Sequence, residues 1–394
     1  MSEPALSARV QQLRPTAVNR ILAEVRELQG QGRQLYSLMR GEPDFRTPAH
    51  IVEAAEKALR AGRTTYPDNR GEIKLRDAVA AKLEREQGLR YDPATEILVT
   101  TGATFGIHDA LMSLINEGDE VLLPEPVYDA YLSPILLAGG VPKQVPASIV
   151  DGRFTWNPRD LEAACGPRTK LLLLNTPWNP TGTVFTRGEL EAIGELALRH
   201  NLILLSDEIY EAITYGAARH LSPAALGREL RERTIILNSL SKTYAMTGWR
   251  VGYCAANARL TQAMFLVLQQ SSRGPATFIQ DAAAAALAGP QDCVDAMRVE
   301  YTARLAQLTE ALDGVAGCRV LQPEGGFFAM LDTRVLQVPS DDLRRRLMRD
   351  NGVVTVNGSA YGPSGEGTLR VSFASGGDNL SKGLAALRQG LAEI

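Results

Sequence analysis

The sequence predicts an α/β protein. A large unit is wound around a mostly parallel sheet, and a smaller α+β unit is built from both chain ends. Three observations lead there. Short apolar runs without polar alternation recur through the middle of the chain, as expected of strands buried on both faces. Segments of helical periodicity separate those runs, which is the rhythm of βαβ units. The two ends differ from the middle, mixing helices with shorter strands. A length of 394 residues also exceeds what one small core holds.

From the N-terminus, Val18 to Gln29 reads as an amphipathic helix and Leu35 to Leu38 as an extended segment. The apolar runs Ile97 to Thr100, Glu120 to Leu123, Lys170 to Asn175, Leu202 to Leu205 and Thr234 to Leu237 read as strands. Thr104 to Asn116 reads as a helix closed by Gly118. Arg187 to His200 reads as another, with Thr186 as its N-cap. Asp281 to Ala288 is a helix whose small face permits close packing. Near the C-terminus, Gly326 to Leu331 and Thr368 to Phe373 read as strands. The expected division is a large domain over 46–290 and a small domain from 1–45 and 291–394.

Composition narrows the class. Apolar content of 45% and charged content of 22% are ordinary for a globular protein. A net charge of -3 gives no reason to expect nucleic acid or a membrane surface. Cys165, Cys254, Cys293 and Cys318 form no CxxC pair or metal spacing, which favours free thiols in a reducing compartment. The four histidines are scattered, so a His-rich metal site is not expected. The start of the chain does not read as a signal peptide, and no apolar run reaches the ~20 residues of a membrane span. The expectation is a cytoplasmic enzyme.

The chemistry gathers after the strands. Lys242 stands in Ser239-Leu240-Ser241-Lys242, just past a buried run, with Arg250 eight positions on. A lysine there suits a Schiff base with a carbonyl cofactor, with the hydroxyls and Arg250 holding a phosphate. Alone it reads equally as a surface lysine. Asn179 lies in a loop rigidified by Pro177, Pro180 and Gly182, where it can bond a cofactor oxygen or simply serve a turn. Asp207 ends a strand and needs a partner. A protonated pyridine nitrogen qualifies, and so does an N-cap role. Tyr210 is placed to reach a phenolic oxygen of the same ring. Gly102-Ala103-Thr104 opens a helix whose N–H groups form an anion site. Tyr128 can stack on a flat ring or fill a domain seam. Arg370, inside an apolar strand, calls for a carboxylate or a structural ion pair. One ligand explains every part: a pyridine ring with a phosphate, an aldehyde and a phenolic oxygen, joined to a substrate carboxylate.

The ordered set resembles the class I/II aminotransferases, fold-type-I enzymes that use pyridoxal 5′-phosphate. It runs from Gly41-Glu42-Pro43-Asp44-Phe45 through Tyr66, Gly71 and Arg76 to Asn179-Pro180-Thr181-Gly182, Asp207-Glu208-Ile209-Tyr210, the segment from Ser239 to Arg250, and Arg370. The resemblance implies that Lys242 carries the cofactor and moves the proton at Cα. It implies that Asp207 pairs with the ring nitrogen, that Asn179 and Tyr210 bond the phenolic oxygen, and that Tyr128 stacks on the ring. Ser239, Arg250, Ala103 and Thr104 would hold the phosphate. Arg370 and the backbone of Gly41 would take the substrate carboxylate. Tyr66 would reach the phosphate of a neighbouring subunit, implying a homodimer with shared sites.

Some positions depart from the family pattern and border its side-chain pocket. They are Arg40, Trp178, Asn357 and the stretch from Gln270 to Pro275, which contains Arg273. Arg40 or Arg273 would suit a substrate with a second carboxylate. The expected activity is ping-pong transamination between an L-amino acid and a 2-oxo acid. A carbon–sulfur lyase or another elimination enzyme shares the same cofactor set. A cofactor-binding transcription regulator would require a DNA-binding domain that the N-terminal 45 residues do not supply.

Overall fold

The computed structural model describes residues 4–394. Helix α1 (Ala17–Gly30) begins at Thr16, whose hydroxyl accepts the Asn19 N–H and satisfies one open donor of the first turn. Helices α2 (Ala49–Arg60) and α3 (Ile73–Gln87) follow. Then comes the alternation that the apolar runs predict: β1 (Ile97–Thr100), α4 (Ala103–Leu114), β2 (Glu120–Glu125), β3 (Val141–Pro146), β4 (Thr169–Asn175), α5 (Arg187–Arg199), β5 (Ile203–Asp207), β6 (Thr234–Ser239) and β7 (Gly252–Ala255). The predicted cap of α5 forms as a full capping box, Thr186 and Glu189 each satisfying the other's backbone N–H. Helices α6 (Ala258–Ser271) and α7 (Thr277–Ala288) complete this part.

The seven strands form one sheet in the order β1-β7-β6-β5-β4-β2-β3. Strand β7 runs antiparallel to both neighbours, and every other pair is parallel. Both faces are covered. Along β4, Leu171 and Leu173 pack with Leu111 of α4 and Met264 of α6, while Leu172 and Leu174 pack with Leu190 and Ile193 of α5. Helix α7 lies against α2 and α3 through Ala282, Ala283 and Ala286, where small side chains allow the close approach.

The rest of the chain builds a four-stranded antiparallel sheet flanked by helices. Its elements are α8 (Asp292–Leu312), β8 (Arg319–Leu321), β9 (Phe328–Asp332), α9 (Ser340–Asn351), β10 (Val356–Asn357), β11 (Thr368–Ser372) and α10 (Gly377–Ala392). The strand order is β8-β9-β11-β10. The N-terminal arm joins this part: Tyr36 and Ser37 pair with Val353 and Val354, and Ile21 of α1 packs with Met348, Val356 and Tyr361. Among the described residues, no helix is long and apolar enough to cross a membrane.

Two strands of the large sheet lie outside the apolar runs named from the sequence. Strand β7 reads Gly-Tyr-Cys-Ala, and edge strand β3 carries two prolines. Strands β1, β2, β4, β5 and β6 close on Thr100, Glu125, Asn175, Asp207 and Ser239. In open α/β sheets, ligands bind outside the carboxyl ends of such strands.

Candidate active site

A cavity of about 450 Å³ opens at these strand ends, between the large sheet and β9, β11 and α1. Its walls include Gly41, Ala103, Thr104, Tyr128, Asn179, Asp207, Tyr210, Ser239, Lys242, Arg250 and Arg370. Eleven of the fourteen residues given a cofactor or substrate role therefore meet at one place, although they span some 330 positions.

One end is built as an anion cup. Gly102 precedes α4 at φ 79°, and a Cβ there would stand 2.8 Å from Nη2 of Arg250. Glycine is thus demanded twice, by the left-handed backbone and by the guanidinium. Gly252 of β7 serves the same approach, since a Cβ would lie 2.9 Å from the Ala103 nitrogen. The first N–H groups of α4 consequently face the cavity beside Arg250 and the hydroxyls of Thr104, Ser239 and Ser241. Ser239 Oγ is oriented by donating to the Val251 carbonyl (2.9 Å) and accepting the Ser241 N–H (3.2 Å).

Asp207 lies at the floor, 5% exposed. Its Oδ2 accepts the Tyr131 hydroxyl at 2.7 Å, and its Oδ1 accepts the Ile209 N–H at 3.2 Å. Burial pushes the carboxyl up to about 6, and those two donors pull against the rise. A cationic ring nitrogen is the partner this buried carboxylate suits. Lys242 follows β6 on a short helical turn and donates from Nζ to the Gly41 carbonyl at 2.6 Å. Desolvation brings its ammonium down to about 8, with Arg250 and Arg370 adding to the fall and Glu42 and Asp207 opposing it. The amine therefore frees itself of its proton far more readily than a solvated lysine.

On the opposite wall, Arg370 of β11 is 2% exposed, stacked 4.0 Å from the Phe328 ring centre. Its Nη2 donates to the Met39 carbonyl (3.0 Å) and its Nη1 to Asn179 Oδ1 (3.3 Å), while buried Nε has no partner. A buried guanidinium without a carboxylate calls for an anionic ligand. Asn179 is held by its own N–H on Asn175 Oδ1 (2.7 Å), and Asn175 in turn donates to the Asp207 carbonyl (3.0 Å). Tyr210 is buried against Phe327, edge to face.

Three of the fourteen, Tyr66, Arg273 and Arg40, do not line this cavity, and neither do Trp178 and Asn357. Tyr66 is 82% exposed, and the Arg273 guanidinium stacks 5.0 Å from its ring centre. Arg40 is exposed and bonds Glu42 through Nε and Nη2. Trp178 lies in the core instead, 2% exposed, stacked on Phe185 and donating to the Pro126 carbonyl. Sequence reasoning missed Thr16, Val18, Asn19, Asp129 and Tyr131 in the walls. Ser241, one of the hydroxyls beside Lys242, is in the wall as expected. Tyr131 was legible only as one turn beyond Tyr128.

An ammonium of depressed pKa, a buried carboxylate, an anion cup and a buried arginine around one cavity define a site for amine and carboxylate chemistry. The match with known proteins gives that class its family. The family of aminotransferases class I and II matches residues 33–386. The aspartate aminotransferase of Geobacillus stearothermophilus is 38% identical, covering 95% of this chain and 96% of that one. The aromatic-amino-acid aminotransferase 2 of Thermococcus litoralis is 36% identical over 99% of both. Among solved structures, the aspartate aminotransferase from Thermus thermophilus with maleate superposes with a TM-score of 0.92 at 36% identity, over 98% of this chain and 100% of that one. That from Rhizobium meliloti gives 0.95 at 32% identity, over 99% of both. The chain belongs to the class I and II aminotransferases, and it is an aminotransferase.

Proposed function

We propose that this cavity holds pyridoxal 5′-phosphate and transfers an amino group from an L-amino acid to a 2-oxo acid, in two half-reactions. The convergence of Lys242, Asp207, Arg250 and Arg370 on one cavity carries the reading. When bound, the cofactor supplies an electron-withdrawing ring that stabilises negative charge at the substrate Cα. Ala103, Thr104, Ser239 and Arg250 hold its phosphate. Asp207 keeps a proton on the ring nitrogen and so keeps the ring cationic, an electrostatic role. Asn179 and Tyr210 bond the phenolic oxygen, and Tyr128 lies on the ring face. Lys242 would anchor the cofactor, and its amine would serve as the general base that takes the proton from the substrate Cα. Arg370 fixes the substrate carboxylate, which orients the Cα–H bond toward Lys242. The Gly41 carbonyl steadies the Lys242 amine.

The same reading divides the chain into a large domain over 46–290 and a small one from 1–45 and 291–394, with the site between. Exposed Tyr66 and its neighbour Arg273 are assigned to the face of a homodimer, where they serve the second subunit's site. The free thiols of Cys165, Cys254, Cys293 and Cys318 support a cytoplasmic setting. The test is spectroscopic. A donor amino acid added alone to the cofactor-loaded protein shifts the visible band and releases one equivalent of 2-oxo acid, and a second 2-oxo acid restores the band. Continuous ammonia release without an acceptor contradicts the reading and identifies an elimination enzyme.

A further inference from the structure

The reading above leaves part of the cavity wall unused. Thr16, Val18, Asn19, Ile107 and Asp129 touch the cavity but neither the anion cup nor the carboxylate site requires them. They are left to meet the substrate side chain. Within this group Asp129 is the charged member. The cations in the cavity wall are Lys242, Arg250 and Arg370, each already committed to the cofactor or the α-carboxylate.

Asp129 follows Tyr128 on a single helical turn, Asp129–Tyr131. Its Oδ2 accepts the Ala17 N–H at 2.6 Å. Ala17 is the first residue of α1, so its N–H has no partner within the helix. The bond fixes the carboxylate in place and pins the end of α1, with Thr16, Val18 and Asn19, over the cavity. Desolvation is the largest influence on this carboxyl and raises its pKa, as expected of a group turned from bulk water. Arg370 and Arg20 are the cations that act on it. Arg20 is exposed, stands outside the wall and donates to the Pro15 carbonyl.

We propose that Asp129 sets the substrate side-chain preference: its carboxylate disfavours a donor with a second carboxylate and directs the enzyme to amino acids with neutral side chains. This rests on the proposed transamination and deepens it. A like charge in a partly desolvated pocket repels, and specificity built by repulsion needs no added contact with the favoured substrate. The preference then runs against the substrate in the names of several relatives.

The experiment uses the cofactor-loaded protein. Half-reactions are followed at the visible band with leucine, methionine, aspartate and glutamate. The native enzyme is expected to give a higher kcat/KM with the neutral donors. Asp129→Asn keeps an oxygen acceptor for Ala17 while removing the charge, so it separates charge from latch. In Asp129→Asn, the aspartate-to-leucine ratio of kcat/KM is expected to rise about tenfold or more, equivalent to ~1.4 kcal/mol. A native preference for aspartate or glutamate overturns the inference, as does an unchanged ratio in Asp129→Asn. Loss of native dicarboxylate turnover in Arg273→Ala also overturns it, because it places a cation from the second subunit at the side chain. A native protein that reacts with no amino acid at all refutes the transamination reading itself, which the native preference measurement distinguishes from failure of the Asp129 inference.

Discussion

Tyr131→Phe removes one hydroxyl and nothing else from the core. That hydroxyl donates to Oδ2 of Asp207 at 2.7 Å, and both groups are buried. A hydrogen bond to a charged group contributes about 1.5–3 kcal/mol, a factor of about 10 to 100 in the ionisation equilibrium. The donor favours the charged form, so its loss raises the carboxyl pKa. Starting from about 6, the fraction of Asp207 ionised at pH 7 in the free site falls from about nine-tenths to between about a half and about a tenth. A bound cationic ring lowers the value in both proteins but leaves the difference between them. Activity that depends on ionised Asp207 therefore loses its acid limb at higher pH. The assay is the pH profile of kcat/KM for a fixed donor, native against Tyr131→Phe. The acid midpoint is expected to move upward by about one pH unit or more, with folding intact by circular dichroism. An unmoved acid limb with unchanged kcat refutes the assignment of Tyr131 as the residue that positions and tunes Asp207.

Further outcomes follow from the same geometry. Gly102→Ala forces a Cβ at φ 79° against Arg250, a strain of about 1–3 kcal/mol. Titration of the cofactor-free protein is expected to show affinity for the cofactor reduced about tenfold, with catalysis by the loaded fraction largely kept. Arg370→Lys loses the forked guanidinium that Asn179 and Met39 orient. The expected result is a kcat/KM lower by about ten- to a hundredfold for every amino acid donor, measured across neutral and acidic donors alike. The Lys242 ammonium, brought down to about 8 by burial, must lose its proton to attack a carbonyl. Attachment of cofactor to the cofactor-free protein, followed by stopped-flow absorbance, is expected to accelerate as pH rises and to level off above about 8. Thr186→Ala breaks the capping box of α5, which costs about 0.5–2 kcal/mol in chemical denaturation without altering kcat.

Much of this architecture was legible because the physics is local. Strands β1, β4, β5 and β6 are continuous apolar runs, and burial on both faces is the reason. The Thr186 cap and the glycine before α4 follow from backbone needs that adjacent residues meet. Strand β7 escaped because it is short and opens on glycine, with Tyr253 and Cys254 in place of the branched residues that mark the other runs, although both join the core with Val99 and Leu237. Strand β3 escaped because prolines are tolerated at a sheet edge. The site divides the same way. Asp207 ends a strand, and Asn179 and Lys242 follow within four residues of strand ends, where a site is readable. Arg370 was readable as a charge in an apolar strand. The bond from Tyr131 to Asp207 joins residues 76 positions apart. The hold of Asp129 on Ala17 spans 112. Such pairings depend on how α1 and the turn after β2 pack, which no local pattern encodes. Trp178 read as a pocket-bordering residue, but its ring completes the aromatic cluster with Phe154, Trp156 and Phe185 behind the loop.

The claim on which the rest depends is that Lys242 is the residue that carries the cofactor. Borohydride reduction of the cofactor-loaded protein adds hydride across the lysine–cofactor double bond and makes the link permanent. Peptide mapping by mass spectrometry is then expected to find the cofactor mass on the peptide containing Lys242 and nowhere else. Cofactor on another lysine, or no covalent cofactor after reduction, contradicts the account.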